Sequence, residues 1–360
     1  MKDTRGIGWM MSAVRRVTVA FVVVLSAVPA WAQQDSPLSA NFDLPVLINP
    51  ARCGLNGETV NDYTSNHAAN LNYKTQMNGG FTNRAIRVLS ASYNALLLKR
   101  TMAVGLDVYT NTLNGAAISD FSVHLTYAYH WVVGKDAADN PVHRVSFGLQ
   151  AGFRRWAIDV GRLQPGSMYD PAYSGGINPA MAPIYDFDEV ANTVFDLQAG
   201  VYYTGWVAPG LRVTGSLSGY HLNRAQTGLG TYESRTPIRF AVSGGITWRN
   251  RSVPEAQEDE PTGYIVSPDL MSSEIGGTIT FSNQGTYNLL EIAALYRLYL
   301  CADLSLGAGI AYRMLSGARV FSPMLALDIS RFSLNLQCDL NLGTGGGYTN
   351  IFAIGLGYRF

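Results

Sequence analysis

The stretch Ile351-Phe352-Ala353-Ile354-Gly355-Leu356-Gly357-Tyr358-Arg359-Phe360 decides the fold class of this chain. Phe352, Ile354, Leu356, Tyr358 and Phe360 are large and apolar; Ala353, Gly355, Gly357 and Arg359 between them are small or polar. A period of two sends successive side chains to opposite faces of an extended strand, so one face here is apolar and the other is not. Such a strand fits a soluble sandwich or a lipid-facing wall, and the remainder of the sequence separates the two.

The same alternation recurs. Phe121, Val123, Leu125, Tyr127, Tyr129 and Trp131 alternate with Ser122, His124, Thr126, Ala128 and His130. Val145, Phe147, Leu149, Ala151 and Phe153 alternate with Ser146, Gly148, Gln150 and Gly152, and comparable runs start at Phe195, Leu304 and Phe332. The apolar faces repeatedly end in Tyr, Trp or Phe, as where a strand meets lipid headgroups. A soluble barrel would carry Lys and Glu on its polar faces; here those faces hold Gly, Ser, Thr and Asn with scattered Arg, Asp and Gln. Only 14% of residues are charged, against about 25% in ordinary soluble domains. The pattern predicts an all-β chain, a transmembrane antiparallel β-barrel with apolar residues outward and polar residues lining the lumen.

Fourteen strands are predicted, at 66–75, 84–95, 100–110, 119–132, 143–155, 193–205, 210–222, 236–249, 264–282, 286–298, 302–314, 318–329, 331–341 and 350–360. An even number suits a closed antiparallel barrel. With the amino end in the periplasm, the long connection 156–192 faces outward, and 96–99, 206–209 and Ser330-Arg331 are short periplasmic turns. The acidic connection 250–263 (Glu255, Glu258, Asp259, Glu260) also falls on the periplasmic side, where a short turn is the rule; it reads as a contact loop there.

The amino end predicts export. Lys2, Arg5, Arg15 and Arg16 precede an apolar run from Val17 to Val28, and Ala30-Trp31-Ala32 forms an A-x-A cleavage site, the arrangement of a secretory signal peptide over residues 1–32. The run is about a dozen residues, short of the roughly 20 a spanning helix needs. Taking away the four basic side chains and Asp3 of residues 1–32 leaves 22 basic and 25 acidic groups, a net charge of about −3. No basic excess points to nucleic acid. Cys53, Cys301 and Cys338 have neither disulfide nor metal-ligand spacing; Cys301 and Cys338 read as small hydrophobes, and Cys53 as the cysteine open to solvent.

No catalytic, cofactor-binding or metal site is expected. His124 and His130 share a polar face but lie six residues apart, about 20 Å along a strand, too far to hold one metal, and read as lumen lining. His221, beside Tyr220, reads as the histidine on an apolar face. Gly343-Thr344-Gly345-Gly346-Gly347 lacks the Lys-Ser/Thr of a phosphate-binding loop and reads as a hairpin tip.

The segment after Ala32 differs in character. Gln33-Gln34-Asp35-Ser36-Pro37 leads through Phe42 to Leu47-Ile48-Asn49-Pro50-Ala51-Arg52-Cys53-Gly54. Tyr127-Ala128-Tyr129-His130, Ser146-Phe147-Gly148-Leu149-Gln150-Ala151-Gly152, Ala199-Gly200-Val201-Tyr202-Tyr203, Ser216-Leu217-Ser218-Gly219-Tyr220-His221-Leu222, Ser267-Pro268-Asp269-Leu270 and Gly357-Tyr358-Arg359-Phe360 follow in order. Together they resemble the PorP/SprF family of outer-membrane proteins in the type IX secretion system of Bacteroidota. Arg52 stands where that family usually has an aromatic residue.

The resemblance implies a non-enzymatic barrel that helps secrete cargo or anchor gliding adhesins at the cell surface. Its implied partners are periplasmic ring and lipoprotein components, the secreted cargo or surface adhesin, and the surrounding outer-membrane lipid. Asn49, Pro50, Ala51 and Gly54 form the family motif and the candidate partner contacts. Tyr358 and Phe360 resemble the terminal signal read by the barrel-assembly machinery. Residues 33–62 are too polar and too interrupted by proline to be a membrane strand, and read as a lumen plug, a periplasmic strap or a plain tether ahead of a barrel at 63–360. The competing expectation is a solute or hydrophobic-compound channel of the porin or fatty-acid-transporter type.

Overall fold

The computed structural model describes residues 45–55, 66–76, 86–97, 101–113, 117–135, 141–162, 168, 170, 172–173, 178–181, 189–227, 234–250, 272–301, 303–315, 318–342 and 351–360. Fourteen strands, β1 His67–Gln76, β2 Ile86–Leu97, β3 Met102–Leu113, β4 Ile118–Lys135, β5 Pro141–Asp159, β6 Glu189–Ala208, β7 Leu211–Tyr220, β8 Arg239–Asn250, β9 Ser272–Gln284, β10 Tyr287–Cys301, β11 Leu304–Leu315, β12 Ala318–Ile329, β13 Phe332–Asn341 and β14 Ile351–Arg359, form one closed antiparallel barrel. Each pairs with its sequence neighbours, and β14 closes on β1 from Ala68↔Arg359 to Gln76↔Ile351. Closure leaves no edge strand, which is what lets a sheet stand in hydrocarbon with its backbone hydrogen bonds satisfied.

The two faces are inverted relative to a water-soluble protein. Leu125 (68% exposed), Leu149 (60%), Phe153 (62%) and Phe332 (64%) stand outward, while His130, Gln150 and Asn94 are wholly buried inside. A sequence alternating large apolar with polar residues has this one solution in lipid: apolar groups out, polar groups inside, where they satisfy one another. The expected strands match the observed ones to within a few residues for most of the wall. β9 is described from Ser272, with 264–271 outside the described residues, and β4, β5 and β6 run longer than expected. β8 pairs directly with β9, so among the described residues no wall strand stands between them; the acidic residues that connect these strands lie outside the described residues.

The two mouths differ. At the one where His67 and Phe360 meet, β6 passes to β7 through Pro209 and Gly210, and β12 to β13 through Ser330 and Arg331. Gly210 has φ +75°, and a Cβ there would press on the Arg249 carbonyl, so this tight turn calls for glycine. The other mouth carries the connections 160–188 and 221–238. The first is the long loop expected from the sequence. At the short-turn mouth the seam between β1 and β14 is covered on its outer side by rings. Phe360 stacks on His67 (5.4 Å) and Tyr358 (5.5 Å), and Tyr358 lies tilted against Phe332 (4.6 Å).

Candidate functional site in the barrel lumen

Register builds a groove that no single strand contains. Ala103 pairs with Ala128, Ala128 with Gly148, Gly148 with Gly200 and Gly200 with Ser218, so five small inward residues stand side by side across β3 to β7. Residues 45–55 lie in this groove. A short helical turn, α1 (Pro45–Ile48), leads into Asn49 and a 3-10 turn over Pro50–Arg52. Asn49 is extended (φ −158°, ψ 119°) and its Oδ1 accepts from the Ala51 amide (2.9 Å), a cap that starts the turn. Pro50 suits the first turn position, where no N–H is needed.

Asn49 also fixes the segment to the wall. Its Nδ2 donates towards Ser216 Oγ (2.8 Å), the Val201 carbonyl (3.0 Å) and the Leu217 carbonyl (3.2 Å), bridging β6 and β7. A Cβ added at Gly200 would run into the Asn49 amide, and one at Gly148 into the backbone of Pro50 and Ala51. The Ile48 carbonyl accepts from Ser218 Oγ (3.2 Å) and from the Tyr220 hydroxyl. The Gly54 amide donates to Asn94 Oδ1 (3.2 Å). His130 reaches the Cys53 carbonyl through Nε2 (3.0 Å) and Ser146 Oγ through Nδ1 (2.8 Å). A carbonyl only accepts, so Nε2 carries the proton and Nδ1 takes the Ser146 hydroxyl hydrogen. Val46 packs with Cys53, Leu96, Ala103 and Ala128. Asn49, Ala51 and Cys53 are fully buried.

Between this segment and the long-loop mouth lies a polar cluster around a cavity of about 60 Å³ whose lining includes Leu47, Tyr109, Tyr220 and Arg239. Arg154 holds Asp120 with two parallel bonds, Nε to Oδ1 (2.8 Å) and Nη2 to Oδ2 (2.7 Å). Asp196 accepts from Gln198 Nε2 (3.0 Å) and is gripped by His124 Nε2 (3.0 Å) and His221 Nδ1 (2.8 Å). The guanidinium of Arg154 faces His221 Nε2 at 3.3 Å; a guanidinium only donates, so the His221 proton sits on Nδ1, toward Asp196.

A family model described as Type IX secretion system membrane protein PorP/SprF matches residues 30–358. The chain belongs to the PorP/SprF family. No curated protein matches the sequence. Solved outer-membrane barrels are similar to it at low identity. They include a Pseudomonas aeruginosa FadL homologue (12% identity, covering 93% of this chain and 100% of that one, TM-score 0.46) and the CymD monoaromatic hydrocarbon channel (10%, 88% and 93%, TM-score 0.43). The Acinetobacter baumannii outer membrane protein Omp33 is a third (9%, 82% and 98%, TM-score 0.39).

In this PorP/SprF barrel the motif residues Asn49, Pro50, Ala51 and Gly54 sit together on the lumen wall. Tyr358 and Phe360 lie apart from them, on the outer face at the short-turn mouth. Three cysteine and histidine expectations change. Cys53, expected to be open to solvent, is buried over Gly105, and the cysteine exposed among the three is Cys301. Burial pushes the Cys53 thiol well above its ordinary pKa, and nearby Asp107 adds to the shift. His221, expected on an apolar face, lies just past β7 with φ +56°, and that left-handed turn swings its ring into the lumen. His124 and His130 do not meet, but each has a specific partner rather than serving as plain lining. Among the described residues, no three His, Cys, Asp or Glu side chains are grouped to hold a metal ion.

The opposite lumen wall of the PorP/SprF barrel carries its own ion cluster. Arg313 pairs with Glu291 and, through Nη1, with Asp339 Oδ2 (3.0 Å); Asp339 Oδ1 accepts from Ser322 Oγ (2.6 Å) and Gln337 Nε2 (2.9 Å). Sequence reading missed both clusters, because their members come from different strands and only the barrel register brings them together.

Proposed function

We propose that this outer-membrane barrel is a non-enzymatic component of the type IX system that helps secrete cargo or anchor adhesins at the cell surface, with its lumen held shut by residues 45–55. Family membership supports the system, and the seat of Asn49 over Gly200 carries the closed lumen. A solute channel would spend its inner wall on a water-filled path. Here three wall-facing glycines, Gly105, Gly148 and Gly200, instead give their space to the chain itself. The short-turn mouth faces the periplasm, where outer-membrane barrels keep their short turns, so the N-terminal segment and the periplasmic turns are the surfaces for ring and lipoprotein components. The loop 160–188 faces cargo outside.

The test is affinity capture of the tagged protein from detergent-solubilised outer membranes, followed by mass spectrometry. The expected result is co-recovery of type IX ring proteins, a periplasmic lipoprotein or a large surface adhesin. A barrel recovered alone, with steady conductance in planar bilayers, would replace this reading with a solute channel.

A second expectation concerns assembly. The ring stack at the β1–β14 seam supports Tyr358 and Phe360 as the terminal signal for the barrel-assembly machinery. Removing Phe360 takes away its contacts with His67 and Tyr358, and is expected to lower the amount of heat-modifiable, folded protein in outer membranes several-fold (aromatic pairs alone are worth about 0.5–1.5 kcal/mol). An unchanged folded fraction would remove the terminal residue from the signal.

A further inference from the structure

The outer wall is hollowed where a small residue stands among large ones. Ala308 of β11 pairs with Tyr296 of β10 on one side and with Leu325 of β12 on the other, and Leu325 pairs with Leu336 of β13. Residues paired across strands share a face, so the whole row points outward, and Tyr296, Leu325 and Leu336 are all exposed. One step nearer the short-turn mouth, Leu306 pairs with Leu327 on the same face. The short side chain of Ala308 leaves a furrow of about 490 Å³ between these groups, lined by leucine, alanine and glycine with one tyrosine. Small-molecule sites fall in the range of about 300–1,000 Å³.

Two of the strands that form the furrow, β12 and β13, meet at the turn Ser330-Arg331. Backbone bonds fix this turn on both sides: the Ser330 N–H donates to the Asp303 carbonyl (2.6 Å), and the Arg359 N–H to the Arg331 carbonyl (2.9 Å). Arg331 is exposed, and among the described residues its guanidinium has no ion pair, not even with exposed Asp303 on the neighbouring turn. Leu325 and Leu336 lie six and five residues along their strands from Arg331, about 16–20 Å at ~3.3 Å each. A strand tilt of about 35–45° reduces this to about 12–16 Å of depth. That distance spans one leaflet of a hydrocarbon core about 30 Å thick.

We infer that this face holds one phospholipid of the periplasmic leaflet, with its phosphate at Arg331 and an acyl chain in the furrow at Ala308. This rests on the reading that the short-turn mouth faces the periplasm. Apolar fit alone does not retain a lipid, because a chain that leaves the furrow meets other chains as apolar as leucine. The phosphate supplies the retention. Guanidinium and phosphate meet in paired, charge-assisted hydrogen bonds, and the fixed turn keeps Arg331 at the level of the headgroups. The furrow supplies the place: a methylene chain there touches the wall at Ala308 and is flanked by Tyr296 and Leu325, gaining contacts on three sides.

The test is native mass spectrometry of the purified full-length barrel in a detergent that strips loosely held lipid, with phosphatidylethanolamine added as the probe. The parent is expected to retain one phospholipid mass. Arg331→Gln should retain about fivefold less, with Arg331→Lys between the two. Ala308→Leu fills the furrow and should lose the lipid although the charge remains. Ala199→Leu is the control: it enlarges an outward residue of β6, paired with exposed Leu149 and outside the furrow, and should retain lipid as the parent does. Each change lies on the outer face or in a turn, and heat-modified gel mobility confirms that the barrel remains folded. A parent without lipid overturns the inference, as does Arg331→Gln or Ala308→Leu retaining lipid like the parent. A retained mass equal to a lipopolysaccharide, or to a second copy of the chain, also overturns it by naming another occupant. Because this assay needs no other type IX component, its failure beside a successful affinity capture would reject the lipid site and leave the proposed function standing.

Discussion

Gly148→Ala is expected to unseat residues 45–55 while leaving the fourteen-strand wall folded. The added methyl would occupy space now held by the backbone of Pro50 and Ala51, and neither a strand nor a tight turn can yield as a flexible side chain can. Overpacking of this sort costs about 1–3 kcal/mol. The seat is a balance, since ordering the backbone of eleven residues is opposed by about 1–2 kcal/mol for each. A loss of that size therefore shifts occupancy by about ten- to a hundredfold.

Cys53 reports the change. In the parent its thiol is buried and its pKa is raised, so at neutral pH it should react with a soluble maleimide far more slowly than exposed Cys301. Protection fades as pH rises and thiolate forms. In Gly148→Ala the Cys53 rate should rise at least about tenfold, in step with occupancy, and conductance should rise with it. Gly215→Ala is the control, because a Cβ there meets nothing within 4 Å. A folded Gly148→Ala barrel with Cys53 still protected would show that the groove is not what holds the segment.

Arg313→Leu should produce the largest loss of barrel stability. It strips the shared cation from Glu291 and Asp339, two carboxylates with side chains about 3–4% exposed. Removing one partner of a buried ion pair costs about 3–5 kcal/mol, because the remaining charge stays desolvated. The expected readout is a lower temperature for loss of the compact gel band. Arg313→Lys keeps the charge but not the two-armed reach, and should fall between. Adding Glu291→Leu to Arg313→Leu should recover part of the loss, since it removes a carboxylate left without its cation, while Asp339 keeps buried Lys74 as a neighbouring charge. An unchanged transition in Arg313→Leu would mean that water already reaches these carboxylates.

The wall was legible because its signal is local. Along β4, the alternation of Phe121 to Trp131 states both the strand and its faces, and lipid on one side makes that pattern strict. The closing run from Phe352 to Phe360 did the same for β14. The interior was not legible, because its contacts are set by register. Ala103, Ala128, Gly148, Gly200 and Ser218 are unremarkable small residues in five separate strands until pairing aligns them. Asn49 and Pro50 were visible as a motif, but nothing near them in sequence points to Val201 or Leu217. His221 was misplaced for a different reason: strand parity holds only while the backbone is extended, and its left-handed φ breaks the count one residue beyond β7. Cys53 was misjudged because a polar, proline-interrupted segment reads as solvent-exposed, whereas this one is enclosed by a wall that begins at residue 67.

The seat for residues 45–55 draws on β2 to β7, and this bears on the order of assembly. Its five small residues are aligned wherever β3 to β7 are paired, whether or not β8 to β14 have joined, so the seat is complete in a sheet that is still an open trough. The segment can therefore settle laterally, against a half-built wall, with Asn49 spanning β6 and β7 as they meet. In that order strands β8 to β14 would wrap around an interior already occupied, and pairing of β14 with β1 would turn an open docking site into an enclosed one. A segment bound early in this way would work as a template that sets the curvature of the growing sheet as well as a stopper for the finished one.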